Sequence, residues 1–125
     1  MKNAVNWFEI PVSDYERAKK FYSEILGATI TDHHMEEKKI KYGIFPYDME
    51  NNKVGGAIVQ MEGINPSKDG STVYLNGGDD LSIPLSRVAK AGGNIVMKKT
   101  DIDENGFIAQ FIDTEGNRVA LHSMQ

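Results

Sequence analysis

Cysteine is absent from the 125 residues, which removes disulfides, thiolate metal sites and cysteine nucleophiles, and makes a reducing cytoplasm a compatible home. Apolar runs long enough to span a bilayer are absent too. Met1-Lys2-Asn3-Ala4-Val5-Asn6-Trp7 lacks the apolar centre of a signal peptide, so the expectation is a soluble, cytoplasmic protein with no membrane partner. Basic charge is scarce: fourteen Lys and Arg stand against eighteen Asp and Glu, a formal charge of −4. Pairs such as Lys38-Lys39 and Lys98-Lys99 sit beside acidic neighbours and read as solvated faces. No basic run tracks a phosphate backbone, and nucleic acid is not an expected partner. At this length one domain is expected, not two.

What is present is a pattern of short strands and two helices. The sharpest signal is 106–122, where two apolar, β-rich runs flank Asp113-Thr114-Glu115-Gly116-Asn117. An acceptor side chain opens that turn and a glycine supplies positive φ, which predicts a β-hairpin. Upstream, residues 4–12 alternate as a strand with Phe8, Ile10 and Val12 on one face and Val5, Trp7 and Glu9 on the other. Ser13-Asp14-Tyr15-Glu16 has the form of a capping box with Ser13 as the cap. Tyr15, Ala18, Phe21, Tyr22, Ile25 and Leu26 then recur at helical spacing, and Gly27 stops the helix. Strands are predicted over 28–34, 40–47 and 54–61, with a charged tip at 35–39. Gly55-Gly56 marks a bulge or a close approach of backbone or ligand.

After a loop at 62–71 the pattern starts again. Residues 72–78 read as a strand, and Ser82 caps a helix with Pro84 in its first turn and Leu85, Val88 and Ala89 as its buried stripe. Gly92-Gly93 ends it, 94–100 form a strand, and 101–105 turn acidically into the closing hairpin. Both halves therefore read βαβββ, module one at about 4–62 and module two at about 72–124 of a single α+β domain, 1–125. Two such modules complete one another and leave a cavity between them.

Three stretches carry a family resemblance: Phe8-Glu9-Ile10-Pro11-Val12-Ser13-Asp14-Tyr15-Glu16-Arg17-Ala18-Lys19-Lys20-Phe21-Tyr22 with Leu26-Gly27, then Ala91-Gly92-Gly93, then Asp113 to Leu121. In this order and on this repeat, the chain resembles the vicinal oxygen chelate superfamily of glyoxalases, bleomycin resistance proteins and extradiol dioxygenases. The resemblance covers essentially the whole chain and implies a cup, a partial barrel of two modules, and a homodimer. It also implies a divalent metal held by side chains from the first and last strands of each module. Counted from the Val-Ser-Asp and Ala-Gly-Gly landmarks and from Gly116, those positions fall at Trp7, Val73 and Ala120, with a fourth within 55–60, where only Gln60 carries a donor. One amide does not hold a divalent ion, so no metal and no other cofactor is expected.

His33 and His34 are adjacent on a predicted strand, point to opposite faces and read as surface residues. His122 lies two residues beyond Ala120 and so shares its face. Glu9 shares the Trp7 face, with Arg118 as one possible partner. The candidate ligand-binding residues are therefore Trp7, Glu9, Gln60, Val73, Leu75, Ala120 and His122. Tyr42, Tyr47, Tyr74 and Gln110 are further lining candidates whose faces depend on strand register. Trp7 reads either as core filling the cavity or as a stacking wall. The expected function is binding of a small molecule between the modules without a metal. The alternatives are an enzyme of glyoxalase type using Glu9, His122 or a displaced metal, and an interaction subunit whose cavity is plugged.

Overall fold

The computed structural model describes residues 4–51 and 53–125, so Met1 to Asn3, part of the stretch read for a signal peptide, lie outside the described residues. The expected repeat is present as two four-stranded sheets. The first contains β1 (Trp7–Pro11), β2 (Thr31–Asp32), β3 (Lys41–Ile44) and β4 (Gly55–Gln60), ordered β1-β4-β3-β2. The second contains β5 (Val73–Asn76), β6 (Asn94–Asp101), β7 (Phe107–Ile112) and β8 (Arg118–Ser123), ordered β5-β8-β7-β6. In each, the first strand runs parallel to the last and the others pair antiparallel. A helix on one face of each sheet provides the crossover that a parallel pair requires.

Helix α1 (Tyr15–Leu26) buries Tyr15, Ala18, Phe21, Tyr22 and Ile25, the stripe its spacing predicts, and ends on Gly27 in the left-handed region at φ 60°. Its cap lies one residue later than the sequence suggests. Asp14 is the N-cap, accepting the Arg17 amide at 3.1 Å, while the Ser13 and Asp14 amides are taken by the Glu115 carboxylate at 2.9 and 2.7 Å. A carboxylate reaching in from the other module replaces the local capping box.

The second helix is also different. It is two four-residue pieces, α2 (Ser82–Leu85) and α3 (Val88–Ala91), separated at Ser86 and Arg87. Leu81, not Ser82, occupies the N-cap position, and the Asp80 carboxylate accepts the Ser82 amide at 2.8 Å. Leu81, Pro84, Leu85 and Val88 are buried there, whereas Ala89 is exposed.

The predicted strand 28–34 shrinks to Thr31–Asp32. The pairing continues partly through a side chain: His33 N–H reaches the Tyr42 carbonyl at 2.8 Å, but the Tyr42 amide donates to His34 Nδ1 at 3.0 Å where a carbonyl would ordinarily stand. The His34 ring rests edge-on to Tyr15, centroids 4.8 Å apart, so it is engaged with the first module, not simply solvated. The charged tip becomes a 3₁₀ turn at Glu36–Lys38.

One continuous core joins the modules. Ile10, Val12, Phe21, Ile25, Ile58, Leu75, Leu85, Val88, Phe111, Val119 and Leu121 all belong to it, and the Phe21 and Phe111 rings lie 5.8 Å apart. The closing hairpin fastens its edge. Gly116 adopts φ 93° as the turn requires, and Asp113 Oδ1 accepts the Glu115 and Asn117 amides at 2.8 Å each. From the same turn, Glu115 takes Arg17 Nε at 2.7 Å, Asn117 Nδ2 donates to the Pro11 carbonyl at 2.7 Å, and Tyr22 donates to Asp113 at 2.6 Å.

Candidate functional site

With the core on the helix side, the other face of each sheet is free of helices, and strand alternation decides which side chains stand on it. In β1, Phe8 and Ile10 pack into the helix-side core, which sends Trp7 and Glu9 to the helix-free face. Trp7 remains 37% exposed. Its neighbours across the sheet are Gly55 and, beside Glu9, Ala57. Tyr42 projects from β3 on the same side, opposite Val59, in a small second cluster with Ala57, Ile40, Ile44 and Met61.

These side chains form a directional relay. The Trp7 indole N–H donates to the Tyr42 hydroxyl at 2.7 Å, and that hydroxyl donates to Glu9 Oε2 at 2.7 Å. Indole nitrogen only donates and Tyr has one O–H, so no other polarity is available. Burial is the largest influence on the Tyr42 phenol and raises its pKa above the ordinary value. The hydrogen bond to Glu9 adds to that, and the donor from Trp7 opposes it. Arg118 is not the partner of Glu9. Among the described residues the ion pairs are Arg17–Glu115, Lys19–Asp32 and Lys99–Asp80, and His34 Nε2 lies 3.8 Å from Asp32.

Gly55 and Gly56 have a different role from the bulge or ligand approach read from the sequence. Both lie within the regular β4 ladder. A Cβ on Gly55 would meet the Tyr47 ring at 2.5 Å, and one on Gly56 would meet the Phe8 ring. Each glycine lets an aromatic ring lie flat on its face of the sheet. Tyr47 consequently stands against Trp7, centroids 5.6 Å apart and planes at 79°. Sequence reading named Tyr42 and Tyr47 but had no register with which to place them beside Trp7.

In the second sheet, Val73 and Leu75 pair with Val119 and Leu121, and all four belong to the helix-side core. Val73 and Leu75, expected to line the cavity, thus pack with the helix-side core, Leu75 also bordering a hollow at the end of the sheet, while Tyr74 and Asn76 alternate onto the helix-free face with Ala120 and His122. Gln60 is also on the other side. It follows Ile58 in alternation, and its Oε1 accepts the Tyr15 amide at 2.7 Å, closing the start of α1.

Tyr74 is 46% exposed and accepts Gln110 Nε2 at 3.2 Å. His122 Nε2 lies 2.6 Å from the Asn105 carbonyl. A carbonyl only accepts, so Nε2 is the donor of this hydrogen bond. An open hollow of about 390 Å³ lies at this end of the sheet, bordered by Tyr74, Leu75, Asn76, Gly78, His122, Ser123 and Met124.

At the positions where the family resemblance implies metal ligands, Trp7, Val73 and Ala120 offer no ligand atom, Gln60 is engaged by the Tyr15 amide, and the helix-free side of β4 offers Gly55, Ala57 and Val59. Among the described residues no three His, Asp or Glu side chains are grouped so as to hold a metal ion. These residues do not fit a divalent cation, which needs three or four such donors. No helix among them is long and apolar enough to cross a membrane.

Comparison with known proteins agrees with the architecture. The chain is 32% identical over 126 residues to a glyoxylase-like domain-containing protein of Didymella fabae, covering 94% of this chain and 91% of that one. Glyoxalase I from Zea mays superposes with a TM-score of 0.73 at 23% identity, covering 94% of this chain and 45% of the maize chain. The chain thus spans less than half the length of that enzyme. TnmS3, an antibiotic binding protein from Streptomyces sp. CB03234, superposes with a TM-score of 0.63 at 22% identity, over 98% and 97% of the two chains. The family profile for the Glyoxalase/Bleomycin resistance protein/Dioxygenase superfamily matches residues 4–121, and the chain belongs to that superfamily.

Proposed function

We propose that this chain binds a small molecule in the cup between its two modules and does so without a divalent metal. The fold alone serves both glyoxalase I and an antibiotic-binding protein, so the reading rests on the site. The observation that carries it is Trp7. Where the family resemblance implies a metal ligand, the chain places an indole that is hydrogen-bonded into position yet 37% exposed, which supports its reading as a wall that offers surface to a ligand. Tyr74 supplies a similarly exposed aromatic on the first strand of the second sheet. His122 extends that face beside the fully buried Ala120, and the hollow beside His122 falls within the size range of small-molecule sites.

The site on this reading comprises Trp7, Glu9, Tyr42 and Tyr47 from module one and Tyr74, Asn76, Ala120 and His122 from module two. We further propose a homodimer in the cytoplasm. β6 supports the dimer, since it is an edge strand with Ile95 and Val96 exposed, and such an edge is commonly covered by another copy. The absence of cysteine is compatible with the compartment.

Trp7 is the only tryptophan, so its emission tests the reading directly. Titration with a library of planar aromatic compounds is expected to shift or quench it saturably, and Trp7→Ala to weaken the same compounds about tenfold or more. An emission unresponsive to the whole library would defeat the binding reading. Elemental analysis of untagged protein should find no stoichiometric Zn, Ni, Mn or Fe, and a chelator should leave Tm unchanged.

A further inference from the structure

We infer that the first-module half of the cup selects a cationic ligand, an ammonium carried on a flat apolar body. The inference rests on the binding reading above and concerns the chemistry of what binds. Four residues with polar groups line this half, Trp7, Glu9, Tyr42 and Tyr47, and the relay settles what the first three have left to offer. The Trp7 N–H is spent on Tyr42, and the Tyr42 O–H is spent on Glu9. The indole therefore presents only its π faces to a ligand. Glu9 ends the chain as an acceptor, exposed, with only Oε2 engaged and no Lys, Arg or His in ion-pair contact among the described residues. An acceptor that has no internal donor must find one in water or in the ligand.

The surrounding rings decide in favour of a cation over a neutral donor. Trp7 and Tyr47 meet at 79° with centroids 5.6 Å apart, so their planes form two walls of a corner on the face that also carries Glu9. Ring faces bear the negative end of the aromatic quadrupole and attract ammonium groups, most strongly when a carboxylate stands beside them. Gly55 is what admits the Tyr47 ring to this corner. A ligand carboxylate placed there would meet Glu9 and two π faces, each of them repulsive. The net charge of −4 favours the approach of a cation in the same sense.

The test uses the single indole N–H resonance of Trp7 in ¹⁵N-labelled, full-length protein, titrated with benzyltrimethylammonium, benzyl alcohol and phenylacetate. The ammonium is expected to move that resonance saturably with an affinity about tenfold or more above the other two. Glu9→Gln keeps an oxygen for Tyr42 and turns the outer end of the side chain from acceptor to donor, so it is expected to abolish the ammonium preference while leaving the unliganded Trp7 resonance in place. Equal or tighter binding of phenylacetate, or an ammonium preference that survives Glu9→Gln, would overturn the inference and leave the binding reading standing. No saturable shift with the ammonium up to roughly 10 mM would overturn it as well, and the binding reading would then stand or fall on the library titration.

Discussion

Tyr42 and Gly55 show how much of the site depends on single atoms. Tyr42→Phe removes one oxygen that both accepts from Trp7 and donates to Glu9. Because Trp7 and Glu9 are exposed and can turn to water, the expected cost is only about 1 kcal/mol in urea denaturation. The indole resonance should nevertheless move, since its acceptor has changed. Gly55→Ala is expected to be worse although it adds a single methyl. The new carbon would lie 2.5 Å from the Tyr47 ring, the ring must leave the sheet, and overpacking of this kind costs about 1–3 kcal/mol. Trp7 emission should shift with it, because the corner opens. A G55A protein with wild-type stability and unchanged emission would show that Tyr47 has room elsewhere.

Among the elements, the β7–β8 turn does more than reverse the chain. Glu115 sits with its side chain fully covered and receives the Ser13 and Asp14 amides and the Arg17 guanidinium, so a turn in module two terminates the helix of module one. Desolvation pushes the Glu115 carboxyl upward, but the hydrogen bonds from Arg17, Asp14, Thr114 and Ser13 together outweigh it and hold its pKa below the ordinary glutamate value. A folded pKa below the unfolded one stabilises the protein fully above the unfolded value and ceases to do so as the pH falls through the folded one. Wild-type protein should therefore lose stability as it is acidified below the ordinary glutamate range. Glu115→Gln should be less stable at pH 7 by roughly 1.5–3 kcal/mol and show a flatter acid limb in urea midpoints. Parallel acid limbs for the two proteins would remove Glu115 from the account.

For the whole molecule the decisive fact is that one core serves both sheets. Phe21 of α1 packs on Phe111 of β7, and Tyr22 is bonded to Asp113. Either half alone would expose its side of that core and leave the α1 amides without Glu115. Residues 1–62 expressed alone are therefore expected to be unfolded, by ¹⁵N chemical-shift dispersion, whereas the full chain folds cooperatively. A well-dispersed spectrum from the half would overturn this. Light scattering after size exclusion should give twice the chain mass at micromolar concentration, and a monomer throughout that range would defeat the proposed dimer.

The sequence by itself determined the repeat, the buried stripe of α1, the hairpin turn at Asp113 to Asn117 and the family, because each is a periodicity or a short-range rule written within a few residues. It also determined that Trp7 and Glu9 share a face, since alternation holds along one unbroken strand. Only the tertiary structure decided the rest. Val73 and Leu75 pack with the helix-side core because β5 is laid beside β8, where they pair with Val119 and Leu121, a partnership that no local spacing shows. Gln60 serves α1, and Glu115 takes amides assigned to a local cap, because a backbone amide at a helix start donates to whichever side-chain oxygen the fold brings near, whatever its distance along the chain. Tyr42 is 33 residues from Glu9 and 35 from Trp7, so the relay that gives the site its polarity exists only once β3 is laid beside β4.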